Sequence, residues 1–207
     1  MQTKSYTDDL LPLIEALCGC QFAANESARI NSMVNSRAKR AYRASEYWPR
    51  FLVVGEERAV TGGVIPYSEG SLADIDTFML VHRTRPYQVA TAQLIEFYVQ
   101  NDGATLIDGS LNLSSAFVTY KSQWSDTYGD GSSGTQINVP DEWFEYLAHG
   151  TYADFLRAEG QQEKAALADA EAQDKLTDEL LKIGDQHTIN AITNQRTHTH
   201  ANMQTRW

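Results

Sequence analysis

The chain has 207 residues, 42% of them hydrophobic, and its 17 basic and 27 acidic side chains give a formal net charge of −10. This acidic balance argues against a protein that clamps DNA, RNA or anionic lipid electrostatically. The apolar runs are too short for a membrane span, and the N-terminus lacks the basic start and apolar stretch of a signal peptide.

Two helices are expected before residue 50. The first covers 8–18, with Pro12 in its first turn, where the missing N–H is tolerated, and Gly19 as its stop. The second covers 26–47, because apolar residues recur at steps of three and four along it. A proline at position 49 ends it, since the residue before proline is pushed out of the helical region.

The second helix carries the densest basic stretch of the chain. It comprises Arg37, Lys39, Arg40 and Arg43. One interpretation is a solvated helix face. The other is a contact with an acidic neighbour, which makes these side chains candidates for a subunit interface.

The apolar period changes to two between residues 51 and 124, which is typical of strands. The strand candidates are 51–54, 76–83, 94–100, 104–107 and 116–121. Asn101-Asp102-Gly103 separates two of them and predicts a hairpin. These strands predict one small, mostly antiparallel sheet packed against helices.

A loop rich in Gly, Ser and Asp follows at 125–137. Such residues favour an exposed turn region. Its aspartates lack the spacing and the glutamate of an EF-hand, so no calcium site is expected.

Two further helices are predicted at 140–159 and 161–183. Gly150, in the middle of the first, costs about 1 kcal/mol relative to alanine and so predicts close packing of a neighbouring backbone. Aligned alanines in the second indicate close but weakly apolar packing. Glu171 and Asp178 are expected to pair with lysines four residues further on.

The final segment, 188–207, is polar, contains no acid, and is predicted to be an extended tail. Its sparse anchors are Ile189, Ile192, Arg196, Met203, Arg206 and Trp207. Alone, such a segment buries too little to offset its ordering entropy. It is either dispensable or a docking strand for a partner.

Catalytic motifs are missing from the sequence. It contains no nucleophile elbow, P-loop, dinucleotide fingerprint or H-E-x-x-H pattern. Cys18 and Cys20 lie too close together for a good disulfide and are expected to be reduced thiols. His198 and His200 on a polar tail would make a weak metal site. We therefore expect no enzyme activity, no cofactor and no bound metal.

The predicted fold class is α+β: an antiparallel bundle of about four helices with an inserted small antiparallel β-sheet and an extended C-terminal tail. Residues 1–187 form the folded domain, with the β region at 51–124, and 188–207 form the tail.

Three stretches resemble the head-to-tail adaptor, or connector, proteins of tailed bacteriophages. The first is INSMVNSRAKRAY at 30–42, leading to YWP at 47–49. The second is VPDEWFEYL at 139–147 followed by GTYADFL at 150–156. The third, GQQEKA, opens the last helix at 160–165. The similarity covers most of residues 5–185, and its motifs are packing signatures.

The resemblance implies a structural virion protein of the phage neck, made in the host cytoplasm. Copies would form a ring, usually of twelve, below the portal protein. The ring continues the DNA ejection channel, with DNA only as passing cargo, and receives tail, nozzle or tail-fibre proteins. In this family the C-terminal segment lies along the portal, which implies portal binding by the tail of this chain.

The resemblance also implies that the inserted sheet and the loop after it face the tail-side partner, with Tyr128 and Asp130 as candidate contacts. Two alternatives remain open. One is a cytosolic scaffolding module that binds other proteins through its acidic helices and tail. The other is a hydrolase whose site shows no recognisable motif.

Overall fold

The structure is a computed structural model of the chain. It describes residues 3–86, 93–107, 112–124, 128 and 138–203, and the side chains of residues 3, 24, 25, 138 and 185–203 lie outside this description. In chain order the elements are β1 (Thr3–Ser5), a π-helical segment (Tyr6–Leu10), α1 (Leu11–Cys18), α2 (Ala24–Ala44), β2 (Leu52–Ala59), β3 (Val64–Pro66), β4 (Ile75–His82), β5 (Phe97–Gln100), β6 (Gly103–Leu106), β7 (Ser115–Ser122), β8 (Asn138–Pro140), α3 (Asp141–Ala158) and α4 (Gln162–Met203).

The chain divides into two compact units. Unit 1 comprises Met1–Ser45 and Asp126–Trp207, and unit 2 comprises Glu46–Ser125. Unit 2 is therefore an insertion between α2 and α3 in the sequence of unit 1.

Unit 1 is organised around α3, which packs against α1, α2 and α4. Half of the α3 residues are buried because its apolar positions follow the helical period on more than one side. Helix α2 contributes a buried stripe that includes Ile30, Val34, Ala38 and Ala41. Strands β1 and β8 form a two-stranded antiparallel sheet in the same unit.

The first two helices follow the sequence prediction closely. Helix α1 ends at Cys18, and Gly19 takes the left-handed conformation, with φ of 70°, that lets its N–H reach the Ala16 carbonyl. Helix α2 ends at Ala44, because Ser45 is already extended.

Unit 2 contains two three-stranded antiparallel sheets, ordered β2-β7-β4 and β3-β6-β5. Backbone hydrogen bonds connect them: the Arg83 N–H donates to Gln93 and the Ile95 N–H donates to Val81, each at 2.9 Å. A reciprocal pair between Thr61 and Val64 joins β2 to β3. The six strands thus enclose one core, whose members include Ile65, Phe78, Val81, Leu106, Val118 and Tyr120.

The β5–β6 hairpin is the one expected from Asn101-Asp102-Gly103. Gln100 pairs with Gly103 across the turn. Gly103 has φ of 148°, and a Cβ there would lie 2.0 Å from the Ile65 carbonyl oxygen. Only glycine fits this close approach of two backbones.

The predicted fold class was wrong in its strand content. The described residues form eight strands in three antiparallel sheets, which is more than a small sheet inserted in a four-helix bundle. The strands missed were β1, β3 and β8, each three residues long. Such short strands show no period-two pattern, and their pairing partners are remote in sequence.

The predicted extended tail was also wrong, since α4 continues to Met203 instead of ending at Ile183. The chain has no proline after Pro140, so no residue removes a helical donor. Gly184 alone costs about 1 kcal/mol relative to alanine, which does not stop a helix that gains a backbone hydrogen bond per residue. None of the described helices has the length and apolar character needed to cross a membrane.

Candidate interaction surfaces

The centre of unit 1 is a buried arginine that joins three helices. Arg37 lies on α2, and its side chain is 4% exposed. Its Nε and Nη2 donate to the two carboxylate oxygens of Asp154 on α3, each at 2.7 Å. Its Nη1 donates to Asp169 on α4 at 2.6 Å. Arg157 pairs with both of these carboxylates as well, so two cations and two anions form one closed network.

Gly150 makes room for this arginine. A Cβ at position 150 of α3 would lie 3.0 Å from Arg37 Cδ and 3.2 Å from Arg37 Nε. The close neighbour of Gly150 is therefore a side chain, not the backbone that the sequence analysis expected. The arginine can cross α3 to reach α4 because this position has no side chain.

The hydrogen bonds of this network stabilise the charged forms of Arg37 and Asp169. Burial opposes the charge on Arg37, but its hydrogen bonds with Asp154 and Asp169 raise its pKa above the ordinary value. Burial alone would raise the pKa of Asp169; the hydrogen bond and charge of Arg37, with those of Arg157, lower it below 3.8. Arg37 and Asp169 are therefore both held in their charged forms at neutral pH.

The other predicted interface cations lie on the exposed side of α2. Lys39, Arg40 and Arg43 are exposed and form no ion pair with any residue that the structure describes. Arg37, in contrast, is engaged within its own chain. The predicted basic interface is thus reduced to three side chains on the outer face of α2.

The predicted interface acids lie on α4 and are exposed. Glu171 lies 3.5 Å from His149 Nδ1, and it does not pair with Lys175. Lys175 instead contacts Glu145 of α3 at 2.8 Å. Asp178 does not hold Lys182, which pairs with Glu179. Neither ion pair expected four residues apart is formed. Lys175 pairs instead with a carboxylate of α3, and Lys182 pairs with a carboxylate three residues before it on α4.

Lys4, α3 and α4 line a groove of about 300 Å³. Five carboxylates and three lysines surround it: Asp141, Glu142, Glu145, Asp178 and Glu179 with Lys4, Lys175 and Lys182. Each lysine has a carboxylate partner. The groove is thus a net acidic surface that includes the predicted interface residue Asp178.

Tyr128, a predicted contact to the tail-side partner, is buried in unit 1. Its ring stacks on Tyr6 with centroids 5.3 Å apart, and it is 1% exposed. Asn35 of α2 accepts from the Tyr128 N–H at 2.8 Å and donates to the Tyr128 carbonyl at 3.0 Å. These hydrogen bonds hold Tyr128 against α2, and no feature of the sequence predicts this role of Asn35. Asp130 lies outside the described residues.

The predicted portal-binding residues fall at the end of the chain. Ile189, Ile192, Arg196 and Met203 belong to α4, and their side chains lie outside the described set. Arg206 and Trp207 lie beyond the described residues. The last buried side chain described on α4 is Leu176.

Unit 2 contains a second buried arginine that sequence analysis missed. Arg58 of β2 is fully buried beside Tyr120 of β7. Its Nη2 donates to the Tyr120 hydroxyl and the Ala73 carbonyl and lies 2.9 Å from a Glu56 carboxylate oxygen. The Tyr120 hydroxyl in turn donates to Glu56. The contacts of Nη2 are internal to unit 2, which makes the group a structural ion pair in the core of this unit.

The two cysteines and the possible metal ligands are the groups that bear on catalysis. Cys18 and Cys20 are free thiols, and burial, with the charges of Cys20 and Glu15, raises the pKa of Cys18 to about 12. A thiol with this pKa is a poor nucleophile. Within the described residues no group of three or more His, Cys, Asp or Glu side chains could hold a metal ion.

Comparison of the chain with protein-family models and with curated proteins finds no match in either case.

Proposed function

We propose that the chain is a structural subunit of the neck of a tailed bacteriophage. Copies assemble into a ring, with twelve as the expected number. The ring docks on the portal protein, continues the DNA channel and receives tail, nozzle or tail-fibre proteins. The role requires no catalysis, and DNA passes through without being held.

The observation that carries this proposal is the order of the units. A helical unit is built from both ends of the chain, and a β unit is inserted between α2 and α3. The adaptor family, which the chain resembles in its helix motifs, likewise carries a β insertion in a helical bundle, although the insertion here holds six strands in two sheets. This shared order of helical and β segments supports the proposal.

The length of α4 supports a docking role for the C-terminus. With 42 residues it is about 63 Å long, whereas α3 with 18 residues is about 27 Å long. Packing on α3 accounts for the first part, through Ala165, Ala168, Ala172 and Leu176. A helix that exceeds its packing partner by more than half its length is suited to contact another protein.

Charge supports assembly into a ring. The basic patch of α2, formed by Lys39, Arg40 and Arg43, and the acidic patch of α4, formed by Glu171, Asp174 and Asp178, are different surfaces of one chain. A contact between them is heterologous, and heterologous contacts close into rings when the rotation permits. The net charge of −10 also suits a channel wall that repels DNA phosphates.

The test is reconstitution with the portal protein of the same phage. We expect purified chain to add a ring of density below portal rings in negative-stain images and to co-sediment with them. Portal rings that stay bare at excess chain would contradict the proposal. A chain that instead joins non-virion complexes in infected or uninfected cells would favour the scaffolding alternative.

A truncated chain lacking 188–207 provides the second arm of this test. We expect it to keep the helical circular dichroism signal contributed by residues 3–187 and to lose portal binding, because the last buried side chain that the structure describes on α4 is Leu176. Undiminished portal binding by the folded truncated form would contradict the docking role of the C-terminus.

A further inference from the structure

An apolar patch lies on the outer face of the β5–β6 hairpin. Leu94, Tyr98 and Ile107 are exposed by 60%, 47% and 56%. The Ile107 N–H donates to the Glu96 carbonyl, and Tyr98 pairs with Thr105, so residues 96, 98, 105 and 107 share one face of the two strands. Leu94 joins them because side chains two residues apart point the same way.

The backbone that carries this patch is fixed by the core of unit 2. On the opposite face of the same segment, Ile95, Ala104 and Leu106 are buried, and Phe97 packs against them. The exposed side chains therefore cannot turn inward without breaking the core. Large apolar groups held outward in a group are typical of a protein contact surface.

The patch has a carboxylate at its centre. Glu96 is exposed, lies opposite Ile107 and between Leu94 and Tyr98, and forms no ion pair among the described residues. Residues 93–107 include no Lys or Arg, and their other acid, Asp102, lies at the hairpin turn outside this surface. The local charge therefore favours a basic partner.

We propose that the surface formed by Leu94, Glu96, Tyr98 and Ile107, the hairpin patch, binds a segment of another protein that presents Lys or Arg beside an apolar or aromatic side chain. The basic head would pair with Glu96, and the apolar groups would cover Leu94, Tyr98 and Ile107. This surface shares no residue with the basic patch of α2 or the acidic patch of α4, and the inference goes beyond the proposed ring.

Two arguments select a short segment of another protein as the occupant. A symmetric contact between two copies through this patch would bring Glu96 against Glu96, and facing like charges oppose association. The patch also has only four side chains, whereas a standard stable interface uses about 20–30 residues on each side. A short segment with one basic anchor matches both the charge and the size.

The experiment uses the full-length chain and a set of synthetic ten-residue peptides. Each test peptide has a central Arg flanked by Leu and Tyr in a Gly/Ser background. Matched peptides replace Arg with Glu, or replace both flanking residues with Ser. Binding is followed by fluorescence polarisation, and the contact is located by amide chemical shifts of residues 93–107.

We expect the Arg peptide to bind and to shift the amides of β5 and β6, and both matched peptides to bind at least tenfold more weakly. Glu96→Lys should lower the affinity for the Arg peptide on the order of tenfold, since an attractive charge pair becomes repulsive. The same substitution should raise the affinity for the peptide that carries Glu in place of Arg. Tyr98→Ser should lower the affinity for the Arg peptide by a similar factor, because it removes apolar contact area.

Two control variants separate the patch from general charge and general hydrophobicity. Asp102→Lys reverses a nearby exposed acid at the turn, and Leu167→Ser removes an exposed leucine of α4. Both should leave the affinity within twofold of the parent chain. No shift of residues 93–107 by any peptide, affinity unchanged by Glu96→Lys, or a dimer of the parent chain that Tyr98→Ser dissolves would each overturn the proposal.

Discussion

The guanidinium of Arg37 on α2 makes two parallel hydrogen bonds to the carboxylate of Asp154 on α3, with both nitrogen–oxygen distances 2.7 Å. This two-pronged geometry matches the planar fork of arginine to the two oxygens of a carboxylate. A third bond, from Arg37 to Asp169, brings α4 into the same network. The pairing of α2, α3 and α4 in unit 1 thus depends on one buried cation as well as on apolar packing.

Removing Asp154 should therefore destabilise unit 1 more than removing Asp169. Asp154→Ala leaves the buried Arg37 charge without its main partner, and we expect a loss of about 3 kcal/mol in the free energy of unfolding. Asp169→Ala, at a carboxylate that is 39% exposed, should cost only about 1 kcal/mol. Urea denaturation followed by helical circular dichroism measures both. Asp174→Ala, an exposed acid on α4, serves as the control and should stay within about 0.5 kcal/mol of the parent. Equal losses for all three variants would contradict this ranking.

The effect of Gly150→Ala on the free energy of unfolding should depend on the residue at position 37, with a loss when it is Arg and a gain when it is Ala. In the parent chain the new methyl would press on an arginine fixed by its carboxylates, so a loss of about 1 kcal/mol is expected even after the gain in helix propensity. In an Arg37→Ala background the space is free, and the same substitution should stabilise by up to about 1 kcal/mol. A double-mutant cycle measures this coupling. Stabilisation of the parent chain by Gly150→Ala would show that Arg37 is not held in place.

Reversing one charged patch should block ring assembly, and reversing the complementary patch should restore it in mixtures. A chain with Lys39, Arg40 and Arg43 replaced by Glu, and a chain with Glu171 and Asp178 replaced by Lys, should each fail to assemble alone. Mixed together, they can alternate, because every contact then joins opposite charges. Such alternation requires a ring with an even number of subunits.

Sedimentation velocity, with and without portal rings as a seed, reads out this assembly. Lys164→Glu, an exposed charge reversal on α4 outside both patches, should assemble normally. Assembly of either reversed chain alone, or a mixture that remains monomeric under conditions where the parent assembles, would contradict the interface.

Unit 2 should lose stability in mild acid through His82. Burial lowers the pKa of this side chain below 6.5 in the folded state. As pH falls below 6.5 the unfolded chain therefore binds more protons than the folded one, so the free energy of unfolding decreases. His82→Gln cannot titrate and should flatten this dependence between pH 7.5 and 5.5, measured by thermal unfolding at each pH. An unchanged slope in the variant would exclude His82 as its source.

The sequence predicted local features well and long-range ones poorly. Gly19 and the apolar spacing of α2 are local signals, and the helices they predicted exist. The Arg37 network joins residues 117 and 132 positions apart, and no spacing rule connects them. Gly150 is the one local sequence feature that points to this network. A glycine inside a helix lowers helix stability, and it is explained when a neighbouring group occupies the space that a side chain would fill, as Arg37 does here.

The end of α4 was mispredicted for a different reason. The polar composition of residues 188–207 predicts an extended chain, but polarity does not oppose a helix when no residue breaks the backbone hydrogen-bond ladder. The Gly, Ser and Asp residues around Tyr128 in the sequence predict an exposed side chain. Its burial against Tyr6 depends on Asn35, which the sequence presents as one more polar residue on α2.

The insertion of unit 2 into unit 1 also orders the events of synthesis. Unit 2 is one continuous stretch, so all six of its strands are available before α3 is translated. Helix α2, in contrast, has no α3 to pack against until the ribosome has passed the whole β unit, and its apolar stripe stays uncovered in the meantime. The nascent chain therefore completes its C-terminal helices last, and a protein stalled before Asp141 would carry a folded β unit beside an incomplete helical one.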